Sequence, residues 1–177
     1  LRERGQSVDV WDIETMSLSN SFKIEPRPGF GVAVSPDGSL LATTASVGDF
    51  NNAVRLWDTA TGSLIGECNG HKQGVWSVAF TGDGKTLATS SDDSTLKFWN
   101  VATQQEMLSL RRIGTTLTDL TFSPDGQWLA AATDPFATTG ELRLLRAPTL
   151  KEVDQWLQTD NPSQNATPPN HSPHKEL

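Results

Sequence analysis

Two unrelated markers recur through this chain in step with one another. Trp11-Asp12, Trp57-Asp58 and Trp99-Asn100 follow each other at intervals of 46 and 42 residues, and the turn-like stretches Ser35-Pro36-Asp37-Gly38, Thr81-Gly82-Asp83-Gly84 and Ser123-Pro124-Asp125-Gly126 keep the same intervals. A period of about 20–50 residues means that one supersecondary unit is repeated and stacked, because a single unit of that size cannot bury its own apolar surface. Within the best-formed unit, short runs rich in Val, Thr, Phe and Trp alternate with turn residues, which predicts strands over Val75–Phe80, Thr86–Ser90, Thr95–Asn100 and Glu106–Leu110. Asp83-Gly84 marks the first hairpin, since Gly accepts the positive φ of a tight turn, and Thr103-Gln104 marks a later one less sharply. The predicted fold is all-β, an array of four-stranded antiparallel sheets.

The residues of that unit carry a family likeness. Gly70-His71, then Val75-Trp76-Ser77-Val78-Ala79-Phe80, then the run from Leu87 to Trp99-Asn100 resembles the WD-repeat family, whose units of about 40–45 residues hold a Gly-His and a Trp-Asp pair. The resemblance implies an arc of a β-propeller over residues 1–157: a partial blade at 1–29, then blades at about 30–74, 75–116 and 117–157. Closed propellers have roughly four to eight blades. The arc is therefore expected to belong to a larger ring, completed by further blades from a missing part of the chain or by self-association. Residues 158–177 turn to Pro, Asn, Ser and His with few apolar side chains and read as a disordered tail.

His71, Ser91, Asp93 and Trp99 match the set that the family uses as an internal hydrogen-bond network. A Ser, a His and an Asp also invite a hydrolase reading, but a nucleophile needs an open site and an oxyanion hole, so the expectation is a structural tetrad with no catalytic residue. Aligning the first strands puts Glu25 and Ile113 where His71 stands. The same two units have a longer second connection, 15 residues from Ala42 to Trp57 and from Ala130 to Leu145 against 11 from Ala88 to Trp99. In the family these connections emerge on one face of the disc. Each insertion carries an aromatic among polar residues, Phe50 with Asp49 and Asn51, and Phe136 with Asp134, and such aromatics are candidate anchors for a partner. Trp76, with Phe30 at the matching position, falls where a first strand enters near the central channel, and it either fills core space or meets a ligand. Trp11, Trp57 and Trp99 are expected in the core by repetition, with Leu145 in their place in the last unit.

Composition narrows the partners. A net charge of −7, with Arg111-Arg112 the one adjacent basic pair, lacks the clustered Lys and Arg that phosphate binding needs, so no nucleic acid is expected. No run approaches the roughly 20 apolar residues of a membrane helix, and a single Cys68 asks for no oxidising compartment, so the expected location is cytoplasmic. His171, His174 and Cys68 do not make a metal set, and no cofactor motif is present in the sequence. Asn165-Ala166-Thr167 and the closing Lys175-Glu176-Leu177 are read as coincidental matches to glycosylation and retention signals.

The function the resemblance implies is a non-enzymatic scaffold that presents loops and a channel mouth to a protein or peptide, its acidity favouring a basic one. The Ser-Pro-Asp-Gly turns and Ala-Thr-rich strands are also similar to bacterial WD-repeat proteins, in which propellers often follow a Ser/Thr kinase domain. That implies an alternative: the sensor or docking region of a larger enzyme.

Overall fold

The computed structural model describes residues 6–24, 28–45, 52–111, 117–133 and 142–146. All of them lie in a unit spanning Leu1–Ala147; the second unit, Pro148–Leu177, lies outside the described residues, and with it the end of the last expected blade and the expected tail at 158–177.

Among the described residues the secondary structure is entirely β. The first pair is β1 (Gln6–Asp12) and β2 (Ser17–Ile24). Next come β3 (Pro28–Val34), β4 (Leu40–Ala45), β5 (Val54–Asp58) and β6 (Leu64–Cys68). A second set of four follows: β7 (Val75–Phe80), β8 (Thr86–Ser91), β9 (Thr95–Asn100) and β10 (Glu106–Arg111). The last three are β11 (Leu117–Phe122), β12 (Trp128–Thr133) and β13 (Leu142–Arg146). They form four antiparallel meanders, ordered β1-β2, β3-β4-β5-β6, β7-β8-β9-β10 and β11-β12-β13. This is a partial β-propeller with four-stranded blades.

Burial explains the composition of each strand. The second strand of a blade is covered on both sides, so β4 and β8 are buried along nearly their whole length and consist of Leu, Ala, Thr and Ser, small enough to fit between two neighbouring sheets. The outer strands β6 and β10 are largely exposed. Apolar clusters fill the gaps between blades. Ala42, Val54, Leu56 and Cys68 meet Val75, Val78, Phe80 and Trp99 across one gap, and Ala79, Ala88 and Leu96 meet Leu117, Leu120 and Leu129 across the next. Ile24, Val8 and Phe22 close over Leu41 and Trp57 in a third. Each sheet thus covers one face of the sheet that follows it.

The turns repeat as closely as the strands. In Ser35-Pro36-Asp37-Gly38 the Asp37 carboxylate accepts bonds from the Ser35 hydroxyl and the Ser39 N–H, while Gly38 takes φ +74° and donates its N–H to Ser35 O. These bonds hold the Asp37 carboxyl at about 2, well below its ordinary range. Asp83 and Asp125 make the same turn, with Gly84 and Gly126 both at φ +69°. The residue after each Trp closes the turn that follows. Asp12 accepts N–H bonds from Glu14 and Thr15, Asp58 from Ala60 and Thr61, and Asn100 from Thr103. The Trp-Asp pair therefore joins a core side chain to the cap of the next hairpin.

One expectation needs correction. Trp57 and Trp99 are 4% and 0% exposed, but Trp11 is 58% exposed. Repetition places all three indoles at the same register position, yet an indole there is covered by the second strand of its own blade and by the blade before it. Neither is present beside Trp11 among the described residues.

Candidate functional site

Two features stand apart from the repeated packing: a buried polar chain through the blade β7–β10, and an aromatic stack at the start of its first strand.

The polar chain begins at Gly70, whose φ is +150° and whose Cβ, if it had one, would lie 3.3 Å from the ring of Trp99. A bare backbone there lets the loop descend onto the indole and delivers His71 into the interior, 6% exposed. His71 Nδ1 lies 3.1 Å from Asp93 Oδ2, and its Nε2 lies 2.7 Å from Thr89 Oγ1. Trp99 Nε1–H donates to the same Thr89 oxygen at 2.8 Å. Burial pushes the His71 pKa below its ordinary 6.5, against the opposing pull of Asp93, and so the imidazole is neutral. The proton inventory then closes in one way. Nδ1–H donates to Asp93, the Thr89 hydroxyl donates to Nε2, and the indole donates to Thr89. Burial would raise the Asp93 carboxyl, but bonds from Thr95 and the Lys72 N–H, with His71, hold it below its usual value.

Sequence reasoning named Ser91 as the hydroxyl of this group; the structure gives the junction to Thr89. Ser91 is buried one step away, where its hydroxyl donates to Gln73 O and accepts the Asp93 N–H, fixing the loop rather than the imidazole. A signal for Thr89 exists in the repeats. Trp57 Nε1–H donates to Thr43, the residue equivalent to Thr89, at 2.9 Å. In the last blade Ala131 stands at the hydroxyl position and Leu145 at the indole position, so donor and acceptor are lost together.

Because His71 is held neutral, folding disfavours its protonation. Its contribution to stability is complete above pH 6.5, the ordinary value, and is lost as pH falls below that through the depressed native value. We expect the melting temperature to be flat above about pH 7 and to decline below it. His71→Gln should melt lower at pH 7.5 and show a shallower decline between pH 7 and 5, measured by calorimetry across that range.

The aromatic stack is Trp76 on Phe30, with ring centroids 5.4 Å apart and planes 11° from parallel. Trp76 is half-buried, its Nε1–H is enclosed, and it has no hydrogen-bond partner among the described residues. Phe30 is 71% exposed. A register shift explains their placement: Val75 pairs with Ser91 but Ser77 with Ser90, so Trp76 is the extra residue of a bulge. A similar irregularity between Pro28 and Val32 contains Phe30. Bulges re-aim a side chain out of the sheet's alternation, and here they bring two rings from adjacent blades face to face. The other candidates, Asp49, Phe50, Asn51, Asp134 and Phe136, lie outside the described residues, as do Glu25 and Ile113.

Cys68 is buried and its thiol is pushed up to about 12, which leaves it without nucleophilic or ligand character at neutral pH. Among the described residues no three His, Cys, Asp or Glu side chains gather to hold a metal, and no helix is long and apolar enough to cross a membrane.

The family model for the WD domain, G-beta repeat, matches residues 30–58, 62–100 and 109–136, more than half of the chain. The chain belongs to the WD-repeat family. Among similar proteins, eukaryotic translation initiation factor 3 subunit I of Aspergillus oryzae is 31% identical over 131 residues, 74% of this chain and 37% of that protein. The apoptotic protease-activating factor 1 of Rattus norvegicus is 27% identical over 135 residues, 71% of this chain and 10% of that protein. A chain of the Kuenenia stuttgartiensis hydrazine synthase superposes with a TM-score of 0.65 at 19% identity, covering 79% of this WD-repeat chain and 40% of that one. That likeness concerns the fold alone. The WD-repeat chain spans well under half the length of the curated relatives it matches.

Proposed function

We propose that this WD-repeat arc is a non-catalytic interaction module that binds a protein or peptide at the stacked pair Phe30 and Trp76, with Asp49, Phe50 and Asn51 and Asp134 and Phe136 of the two longer connections as further candidate contacts. The observation that carries this reading is the stack itself, a ring that is 71% exposed and held face to face on Trp76 by irregularities in two neighbouring blades. A rigid aromatic face left in water is an anchor that a partner can bury. A peptide laid across Phe30 supplies an apolar side chain for that face. The net charge of −7 favours a basic ligand, whose association slows as salt rises.

The test is selection of binders from a displayed random peptide library on the full chain. Selected peptides should be enriched in basic and apolar residues. They should lose about thirtyfold in affinity on Trp76→Ala, as expected for an aromatic anchor worth about 2 kcal/mol. Equal affinity for the parent, Trp76→Ala and Phe30→Ala would remove the stack from the reading, and equal affinity for Phe50→Ala combined with Phe136→Ala would remove the loops.

A further inference from the structure

The connection from β6 to β7 opens with Asn69-Gly70, the one place in the sequence where Asn precedes Gly. That order is chemically active. The amide carbon of an Asn side chain lies within reach of the next backbone nitrogen, and a glycine there leaves that nitrogen uncrowded by any side chain. The fold does not tie the reacting groups down. Both residues are exposed, and among the described residues neither the Asn69 carboxamide nor the Gly70 N–H has a hydrogen-bond partner.

The three Asp-Gly turns show the opposite arrangement. Gly38, Gly84 and Gly126 donate their N–H groups to Ser35 O, Thr81 O and Ser123 O, each at 2.8 Å. Asp37, Asp83 and Asp125 accept the hydroxyls of the same three residues, and these bonds keep the carboxylates ionised and poor targets for a nucleophile. Asn20 is also secured, its Nδ2 donating to Thr59 O and Ala60 O. Gly70, in contrast, is required as it stands. Its φ of +150°, and a Cβ position 3.3 Å from the Trp99 ring and 3.4 Å from Glu106 Oε2, demand the bare backbone that admits His71. The buried polar chain is therefore entered through a reactive pair.

We propose that Asn69-Gly70 is a self-modifying site that converts in water, through a cyclic imide, to isoaspartate and Asp, and that the lengthened main chain withdraws His71 from Thr89 and Asp93 and loosens the blade β7–β10. The step balances with water as the co-reactant. Gly70 N, having given its proton to hydroxide, attacks Asn69 Cγ; a C–N bond forms there, the bond to the side-chain nitrogen breaks, and ammonia leaves. Water then opens the imide. Cleavage at Cγ gives Asp, and cleavage at the main-chain carbonyl gives isoaspartate, whose backbone is longer by a methylene. The loop has no slack for that length. Cys68, 0% exposed, fixes one end, and His71, bonded at 3.1 Å to Asp93 and 2.7 Å to Thr89, fixes the other, with Asn69 and Gly70 alone between them. Gly70 already lies against Trp99 and Glu106, so the added atom displaces His71 instead of sinking toward the sheet.

The experiment ages the full 177-residue chain at about pH 8 and about pH 6 and maps residue 69 by peptide mass, where loss of the amide adds about one mass unit. Isoaspartate is read by methyl transfer from S-adenosylmethionine with an isoaspartyl carboxyl methyltransferase, and the blade by amide exchange. We expect conversion at Asn69 in the folded chain, faster at the higher pH because the nucleophile is the deprotonated nitrogen. The isoaspartyl form should exchange about tenfold faster in β8 and β9 than fresh protein, the ratio of one buried hydrogen bond. Asn69→Gln, which would need a larger ring, should stay unmodified and keep its fresh exchange pattern through the same incubation. In His71→Gln the tether is already gone, so modification of Asn69 should add little further. The proposal is overturned if Asn69 stays intact in the folded chain while converting in urea, since the native loop then blocks the attack. It is also overturned if the isoaspartyl form exchanges like fresh protein, or if modification accelerates exchange in His71→Gln as much as in the parent.

Discussion

Thr89→Val should destabilise the blade β7–β10 by about 3 kcal/mol, because it leaves two buried polar groups without partners at a cost of roughly 1–3 kcal/mol each. The shape of the side chain is kept, so the change isolates the hydroxyl. That hydroxyl donates to His71 Nε2 at 2.7 Å and accepts from Trp99 Nε1 at 2.8 Å, and no other group among the described residues is placed to do both. The measurement is amide exchange in β8 and β9, which should accelerate about a hundredfold. Thr89→Ser, which keeps the hydroxyl, should recover most of the loss. Ser91→Ala should cost less, since Ser91 holds Gln73 O and the Asp93 N–H in a partly exposed loop. If Ser91→Ala were the more damaging change, the junction between imidazole and indole would belong to Ser91 instead.

Trp99→Ala should be the more severe substitution, costing about 4 kcal/mol. Truncating a large buried aromatic typically costs about 3–5 kcal/mol, because the surroundings only partly collapse into the space. Trp99 is 0% exposed, packs against Val54, Leu56 and Cys68 of the preceding blade, and meets the His71 ring edge-on at 5.9 Å. Its loss therefore opens one blade and loosens its junction with the neighbour. We expect the thermal transition to fall by roughly 10 °C or more, given about 2–4 °C per kcal/mol for a chain of this size, and β5 to exchange faster along with β9. Trp11→Ala should change the transition little, since that indole is 58% exposed. An equal loss at the two positions would mean that the solvent-facing indole of β1 is covered after all.

The strands were legible because their signals are local. Turn chemistry at Asp83-Gly84 and alternation through Val75–Phe80 fix a hairpin without reference to anything distant, and the third unit's strands lie within a residue of where the sequence puts them. Trp11 shows the limit of that logic, since repetition specifies register whereas burial depends on which neighbour is beside it. Thr89 and Ser91 show another. Both are buried hydroxyls on β8, two residues apart, and only the pairing of Thr89 opposite Lys97 puts one of them beneath both the indole and the imidazole. Trp76 was ambiguous for a third reason: the bulge that turns its ring onto Phe30 comes from unequal residue counts on paired strands, which no single segment reveals.

The second strand of each complete blade leaves little freedom to vary. Ala42 and Ala88 are 0% exposed, each set into the gap between its own blade and the next. A bulkier side chain at either place would wedge that junction open and pass its misfit to the following sheet, whereas the rim strands absorb change where it arises. Novelty in a chain built this way is confined to its margins.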